Sequence, residues 1–181
     1  RKKMYRINTT YKKLLADTTT PVSIYLRLRD VYPNSILLES SDYHSRENSM
    51  SFVCADPVAG IILKGKRLET YFPDGTVGIT ESKNLMQEIA DFKDKFKETE
   101  LPEIKFISSG LFGYFTWNAV QHFEDIQFTS ETPEGEEIPE MQYHLYRYII
   151  AIDHFKNEIT LFKNTFEGEE EGGLEKMEYL I

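Results

Sequence analysis

The sequence predicts an α+β fold in which helices pack against a largely antiparallel sheet. Three observations support this prediction. Short runs rich in β-branched and aromatic residues are separated by turn-like segments, and hairpin-linked pairs of such runs outnumber strand–helix–strand alternations. Helical signals are confined to three stretches, 20–33, 82–96 and 174–181. With 40% hydrophobic and 13% aromatic residues, the chain can bury a substantial core.

Length, charge and cysteine content exclude several classes of protein. The 181 residues suit one domain, or one domain and part of another. A net charge of −9 without a basic stripe argues against nucleic acid and anionic membranes as partners. No apolar run approaches the ~20 residues that cross a bilayer. Cys54 is the only cysteine, and its apolar neighbours predict a buried thiol in a reducing compartment, the cytoplasm.

The first predicted elements are a helix and a buried strand. Thr20 is suited to cap the free amides of a helix, and Pro21 fits its first turn because no N–H is needed there. We expect this helix to end near 32–33, since a residue before proline is driven out of the helical region. The apolar run at 36–40 ends in polar residues, which indicates a buried strand that opens into a loop.

A second group of strands follows the polar loop. Residues 51–55 have the pattern of a strand, and 60–63 and 68–72 flank a basic turn as a hairpin. Residues 73–75 read Pro-Asp-Gly, which is a turn signal.

The middle of the chain predicts one helix and two further strands. After Ser82, apolar residues recur at the spacing of one helix face, at Leu85, Ile89, Phe92 and Phe96. Pro102 closes this segment. We then expect a strand at 104–107 that leads into the glycine-containing aromatic run 110–115.

The last third of the chain contains the clearest hairpin. Residues 124–140 are acidic and predict an exposed loop. The β-rich runs 143–152 and 158–163 then enclose a turn at 154–157. Residues 174–181 begin a helix-like segment that stops abruptly, so we expect the protein to continue beyond it.

The sequence predicts no reaction centre. Neither a nucleophile elbow nor a phosphate loop is present, and Cys54 has no evident catalytic histidine partner. The histidines lack the spacing of a metal site, and we interpret His154 as a hairpin-turn residue and His122 as a surface residue. Gly110 and Gly113 are best explained by close backbone packing. We therefore expect no catalytic residue and no metal ligand in this chain.

The stretch 35–60 is the one that suggests a ligand. A buried strand ends at Leu38 and presents Glu39 and Ser40 at its mouth, and the chain returns as a neighbouring strand at 51–53. This arrangement predicts a small cleft with apolar walls and a polar lip, suited to a compact amphipathic ligand. The spacing alone also permits a simpler interpretation, in which the leucines are core residues and the polar pair only ends a strand.

Leu37-Leu38-Glu39-Ser40 resembles the tryptophan feedback motif of anthranilate synthase component I, a chorismate-converting enzyme family of tryptophan biosynthesis. The order of the other matches strengthens this resemblance, which extends from about residue 20 to residue 163. These matches are Ser51-Phe52-Val53, Asp56-Pro57, Gly110–Phe115, Asn118-Ala119-Val120, Phe123-Glu124 and Ile149–His154.

The resemblance implies that 1–165 is the amino-terminal, tryptophan-binding regulatory region. Residues 166–181 would be an acidic linker and the start of the carboxyl-terminal, chorismate-binding half. The implied feedback site for L-tryptophan consists of Leu38, Glu39, Ser40 and Met50. Several members of the family have a lysine where this chain has Met50, so the ligand's polar end is expected to be held differently.

In the family, chorismate and ammonia give anthranilate and pyruvate with Mg²⁺ bound, and a glutamine amidotransferase subunit commonly supplies the ammonia. The catalytic and metal-binding residues, and the rest of the tryptophan pocket, belong to the carboxyl-terminal half. We therefore expect this chain alone to be inactive. Three alternatives stay open: the related aminodeoxychorismate synthase component I of the folate pathway, a stand-alone amino-acid-binding module, and a purely structural interaction domain.

Overall fold

The computed structural model describes residues 3–39, 49–123 and 138–181, and the chain forms two compact units. The first unit comprises Arg1–Met4, Val58–Lys97 and Leu111–Leu145, and the second comprises Tyr5–Pro57, Glu98–Gly110 and Tyr146–Ile181. In chain order the elements are β1 (Tyr5–Leu15), α1 (Pro21–Arg29), β2 (Ile36–Glu39), β3 (Met50–Lys64), β4 (Arg67–Tyr71), β5 (Val77–Glu81), α2 (Leu85–Lys93), β6 (Phe96–Lys97), β7 (Leu111–Phe115), a 3-10 helix (Trp117–His122), β8 (Met141–Asp153), β9 (Glu158–Phe166) and α3 (Leu174–Leu180).

Antiparallel strands and two helices build the second unit. Strand β2 pairs with the first part of β3, β8 pairs with β9, and β9 pairs on its other side with β1. The predicted hairpin around 154–157 is confirmed by the pairing of Asp153 with Glu158. Apolar residues of these strands and of helices α1 and α3 form one core, made of Ile24, Leu28, Val53, Ala55, Ile150, Ile152, Ile159, Leu161 and Met177.

Helix α1 begins where the sequence indicates. Thr20 Oγ1 accepts a hydrogen bond from the Ser23 N–H at 3.1 Å, and Pro21 occupies the first turn. The helix ends at Arg29, slightly earlier than predicted, and the N–H of Tyr32 still bonds to the Leu28 carbonyl at 2.7 Å. Its buried side faces the core through Ile24 and Leu28, so the cap and the apolar spacing together position the segment that precedes β2.

The first unit contains the predicted hairpin of β3 and β4, which continues antiparallel into β5. The turn before β5 is the predicted one, because the N–H of Phe72 bonds to the Thr76 carbonyl at 3.0 Å. Helix α2 ends at Lys93, so the prediction that Phe96 continues its face is wrong. Phe96 instead lies in β6 and packs its ring against Phe72 and Phe92. The helix is capped at Asp94, where the chain turns. Phe96 nevertheless reaches the same apolar cluster as Phe92, which is why its spacing fits one face of a helix.

Two further differences concern strands. The strand predicted at 104–107 does not form. Strand β9 already has β8 and β1 as its two neighbours, so the residues near Phe106 cover its face, where Phe106 meets Phe162 edge-on. Conversely, β1 was not predicted. It pairs with β9 from Ile7 opposite Phe166 to Leu15 opposite Glu158, and its mixed polar sequence conceals its strand character.

The predicted burial of the thiol is confirmed. Cys54 is fully buried, and this burial raises the pKa of the thiol well above its usual range, so it remains protonated. Across the part of the chain that the structure describes, no helix combines the length and apolar character required to span a membrane.

Candidate functional site

The candidate ligand site lies at the end of β2, where the chain leaves the sheet of the second unit. Leu38 lies opposite Phe52, and Glu39 lies opposite Ser51. Leu38 is 37% exposed and Glu39 is exposed, so this end of the strand faces solvent. Met50, the first residue of β3, is half-buried. Ser40, the fourth predicted residue, lies outside the described residues.

The strand geometry sorts the predicted residues onto two faces. Successive side chains of a strand point to opposite faces, and directly paired residues share a face. Leu38 therefore lies on the face of Phe52 and Met50, whereas Glu39 lies on the face of Ser51. The Glu39 side chain consequently points away from the face on which an apolar ligand group would contact Leu38 and Met50.

The turn after β8 reaches the start of β3 with two hydrogen bonds. The backbone N–H of His154 donates to the Ser49 carbonyl at 3.1 Å. The His154 Nε2 atom and the Ser51 Oγ atom share a second hydrogen bond at 2.7 Å. Ser51 is buried and the histidine is exposed. His154 thus occupies a hairpin turn, as predicted, and also holds the strand that borders the candidate site.

Sequence reasoning missed the roles of Phe52, Ser51 and His154 at this site. Phe52 and Ser51 became evident only through the register that pairs them with Leu38 and Glu39. The bond between Ser51 and His154 joins residues 103 positions apart in the chain. The available signals were Ser51-Phe52-Val53 and the Asp-His ending of the strand, which the family resemblance already includes without a role for either.

A charged cluster lies elsewhere in the second unit. The Arg147 Nε atom donates to Asp56 Oδ2 at 2.9 Å, and its two terminal nitrogens donate to Glu169 at 2.6 and 3.0 Å. Bonding chiefly to Glu169 raises the pKa of the Arg147 guanidinium, and the same contact lowers the pKa of the Glu169 carboxyl. Asp56 has a φ of 60°, in the left-handed region. We interpret the cluster as structural, because each charge in it has a partner.

The first unit contains a buried histidine. His144 is 5% exposed, and its Nδ1 atom lies 2.7 Å from the Tyr71 hydroxyl. Its Nε2 atom lies 2.7 Å from the side-chain nitrogen of Gln142, which identifies Nε2 as the acceptor and the ring as neutral. Burial lowers the pKa of His144 to about 4. The close packing extends to Gly60, where a Cβ atom would lie 2.5 Å from His144 Nδ1.

Two cavities among the described residues are alternative candidate sites for an aromatic amino acid. A cavity of about 600 Å³ in the second unit is lined by Arg6, Asn8, Thr165, Phe166, Glu167, Gly168, Glu169 and Glu171. A cavity of about 380 Å³ in the first unit is lined by Gly65, Lys66, Ser82, Lys83, Asn84, Leu85 and His122. Both linings are mainly polar or charged, and an indole ring would lack apolar walls there.

Within residues 3–39, 49–123 and 138–181, no three His, Cys, Asp or Glu residues are grouped to hold a metal ion.

Comparison with known proteins identifies relatives of similar sequence. Anthranilate synthase component 1 of Neisseria meningitidis serogroup B is 29% identical over 155 residues, which are 83% of this chain and 31% of that protein. The corresponding protein of Neisseria gonorrhoeae is 33% identical over 113 residues, 62% of this chain and 23% of that protein. This chain is similar to anthranilate synthase component 1. No protein-family model matches it.

The chain also shares its fold with part of a solved structure. The crystal structure of that protein from Streptococcus pneumoniae TIGR4 superimposes with a TM-score of 0.50 and 20% sequence identity, covering 93% of this chain and 34% of that one. The α+β prediction and the resemblance to anthranilate synthase component I are thereby confirmed. The chain spans about a third of the length of the curated relatives it matches.

Proposed function

We propose that this chain is the amino-terminal regulatory region of an anthranilate synthase component I and binds L-tryptophan as a feedback inhibitor. The observation that carries this proposal is the similarity to anthranilate synthase component 1 over 83% of the chain. The position of the Leu-Leu-Glu-Ser motif supports it. The motif ends strand β2 at a solvent-facing edge, where Leu38 and Glu39 are exposed rather than enclosed in the core.

The described residues suit the two ends of a tryptophan molecule. Leu38, Phe52 and Met50 share one face and offer apolar contacts for the indole, and methionine sulfur packs favourably against aromatic rings. The ammonium group requires acceptors, which the backbone carbonyl of Glu39 supplies on the same edge. By the family resemblance, the hydroxyl of Ser40 adds a further bond. These polar contacts determine specificity, because a buried charge without a partner is costly.

In the complete enzyme, chorismate and ammonia would give anthranilate, pyruvate and water. Mg²⁺, the catalytic residues and the remaining wall of the tryptophan pocket would belong to the carboxyl-terminal half, and an amidotransferase subunit would supply ammonia from glutamine. Tryptophan would stabilise a low-activity arrangement of the enzyme and chorismate an active one. The two ligands would then weaken each other's binding by the same factor.

The test is the identity of the product. The full-length protein encoded by the reading frame that contains this chain is supplied with chorismate, ammonium and Mg²⁺, with and without L-tryptophan. We expect fluorescent anthranilate, and we expect tryptophan to suppress it. In the Ser40→Leu variant, we expect anthranilate formation to continue and inhibition by tryptophan to be lost.

Two results would contradict the proposal. Aminodeoxychorismate as the product would assign the chain to the folate branch of the superfamily. Unchanged inhibition in the Ser40→Leu variant would show that tryptophan acts at another site. Glu81→Gln, an exposed substitution on β5 in the first unit, serves as the control variant and should leave both activity and inhibition unaltered.

A further inference from the structure

The start of β3 is attached to a rigid turn. His154 follows β8 directly and bonds to both Ser49 and Ser51, so the residue between them, Met50, is fixed from both sides. The turn also contains hydrogen bonds of its own, because Asp153 Oδ1 accepts from the backbone N–H groups of Phe155 and Lys156 at 3.0 and 2.9 Å.

This attachment controls the candidate site through the strand register. Ser51 is paired with Glu39, and directly opposed residues of antiparallel strands lie ~5 Å apart at Cβ. A displacement of Ser51 therefore displaces the Glu39 backbone, while release of Ser49 frees Met50. Ser51 is 2% exposed, so a solvent molecule could replace His154 as the partner of its hydroxyl only after a rearrangement.

We infer that His154 is a positioning residue for amino-acid binding at the end of β2, holding Glu39 and Met50 in place through Ser51 and Ser49. This inference rests on the proposed function. His154 does not need to touch the ligand. Its two bonds keep the acceptor carbonyl and the apolar slot at a fixed separation, so that the charged and aromatic ends of one amino acid are bound together.

The test measures tryptophan inhibition separately from catalysis in the full-length enzyme. We expect His154→Ala to raise the tryptophan concentration for half-maximal inhibition by roughly three- to tenfold, the effect of losing one hydrogen bond. The kcat and the KM for chorismate without tryptophan should stay unchanged. His154→Gln should restore inhibition, because the glutamine amide nitrogen can occupy the position of Nε2.

Ser51→Ala removes the same hydrogen bond from the side of its other partner. If the bond itself is responsible, the double variant with His154→Ala should be no more impaired than either single variant. Lys156→Ala changes an exposed side chain of the same turn and serves as the matched control. Thermal unfolding of each variant separates a loss of positioning from a general loss of stability.

The outcomes are distinguishable. If the unaltered enzyme is not inhibited by tryptophan, the proposed function fails and the role of His154 fails with it. If the unaltered enzyme is inhibited and Ser40→Leu abolishes the inhibition, but His154→Ala and Ser51→Ala behave like the unaltered enzyme, only the role of His154 is overturned. A parallel loss of kcat, thermal stability and inhibition in both variants would also overturn it, since that pattern marks a purely structural contact.

Discussion

The buried histidine of the first unit makes stability dependent on pH in a defined direction. His144 accepts a hydrogen bond from Gln142 at Nε2, and its folded-state pKa is about 4, against 6.5 for an unperturbed histidine. Between pH 6.5 and pH 4 the unfolded chain therefore binds a proton that the folded chain does not. The stabilisation is fully present above about pH 7 and is lost as the pH falls through this window.

The size of the effect follows from the difference between the two pKa values. That difference is about 2.5, and each unit corresponds to ~1.4 kcal/mol, so His144 should account for a loss of ~3 kcal/mol by pH 4. This is a large share of the 5–15 kcal/mol that typically stabilises a domain.

The assay is urea unfolding followed by circular dichroism between pH 4 and pH 8. We expect His144→Gln to be less stable than the unaltered chain at pH 7.5 and to lose ~3 kcal/mol less between pH 7.5 and pH 4. Lys66→Gln, which replaces an exposed side chain of the same unit that does not titrate in this range, should follow the unaltered chain. If the NMR titration of His144 in the folded protein has a midpoint near 6.5, or if the two profiles are parallel, the reasoning is refuted.

Three further predictions concern stability at neutral pH. Gly113→Ala should destabilise the protein by ~3 kcal/mol or more, because the new Cβ would overlap the backbone carbonyl of Gln142; a midpoint of urea unfolding equal to that of the unaltered chain would contradict this. Arg147→Ala should cost ~1–3 kcal/mol in urea unfolding by leaving Glu169 without its bidentate partner. Because Arg147 lowers the pKa of the Glu169 carboxyl, this loss should shrink as acid protonates that carboxyl. Thr20→Ala should lower the stability of the second unit by ~1 kcal/mol through loss of the helix cap, whereas Thr20→Ser should restore it; equal thermal midpoints for all three proteins would exclude the cap.

Elements with strong local signals were predicted correctly. The capped start of α1, the hairpin of β3 and β4, and the hairpin of β8 and β9 each follow from a few adjacent residues. Segments whose secondary structure depends on distant partners were not predicted correctly. Strand β1 exists because β9 has an open edge for it, and 104–107 stays irregular because β9 has no further edge to offer. Strand formation is decided by pairing, which a local pattern does not reveal.

The candidate site was likewise predictable from the sequence only in part. The motif at the end of β2 and the similarity to anthranilate synthase component 1 can both be found in the sequence alone, as can the expectation of a ligand at that edge. The assignment of Leu38, Glu39, Ser40 and Met50 to a tryptophan site stays a prediction. Leu38 and Glu39 lie on opposite faces because side chains alternate along a strand, and this can be read from the sequence. The residues that they oppose depend on the pairing register of β2 and β3, which the sequence does not reveal.

By itself, the sequence determined the fold class, the family resemblance, the burial of Cys54 and the ends of the locally coded elements. These depend on composition, capping and short-range periodicity, which are properties of neighbouring residues. Only the tertiary structure decided that His154 holds Ser51, that His144 is kept neutral, and that Arg147 joins two carboxylates. Each of these contacts depends on how several strands pair and pack. Strand pairing brings together residues that are distant in the chain, so no local pattern reveals it.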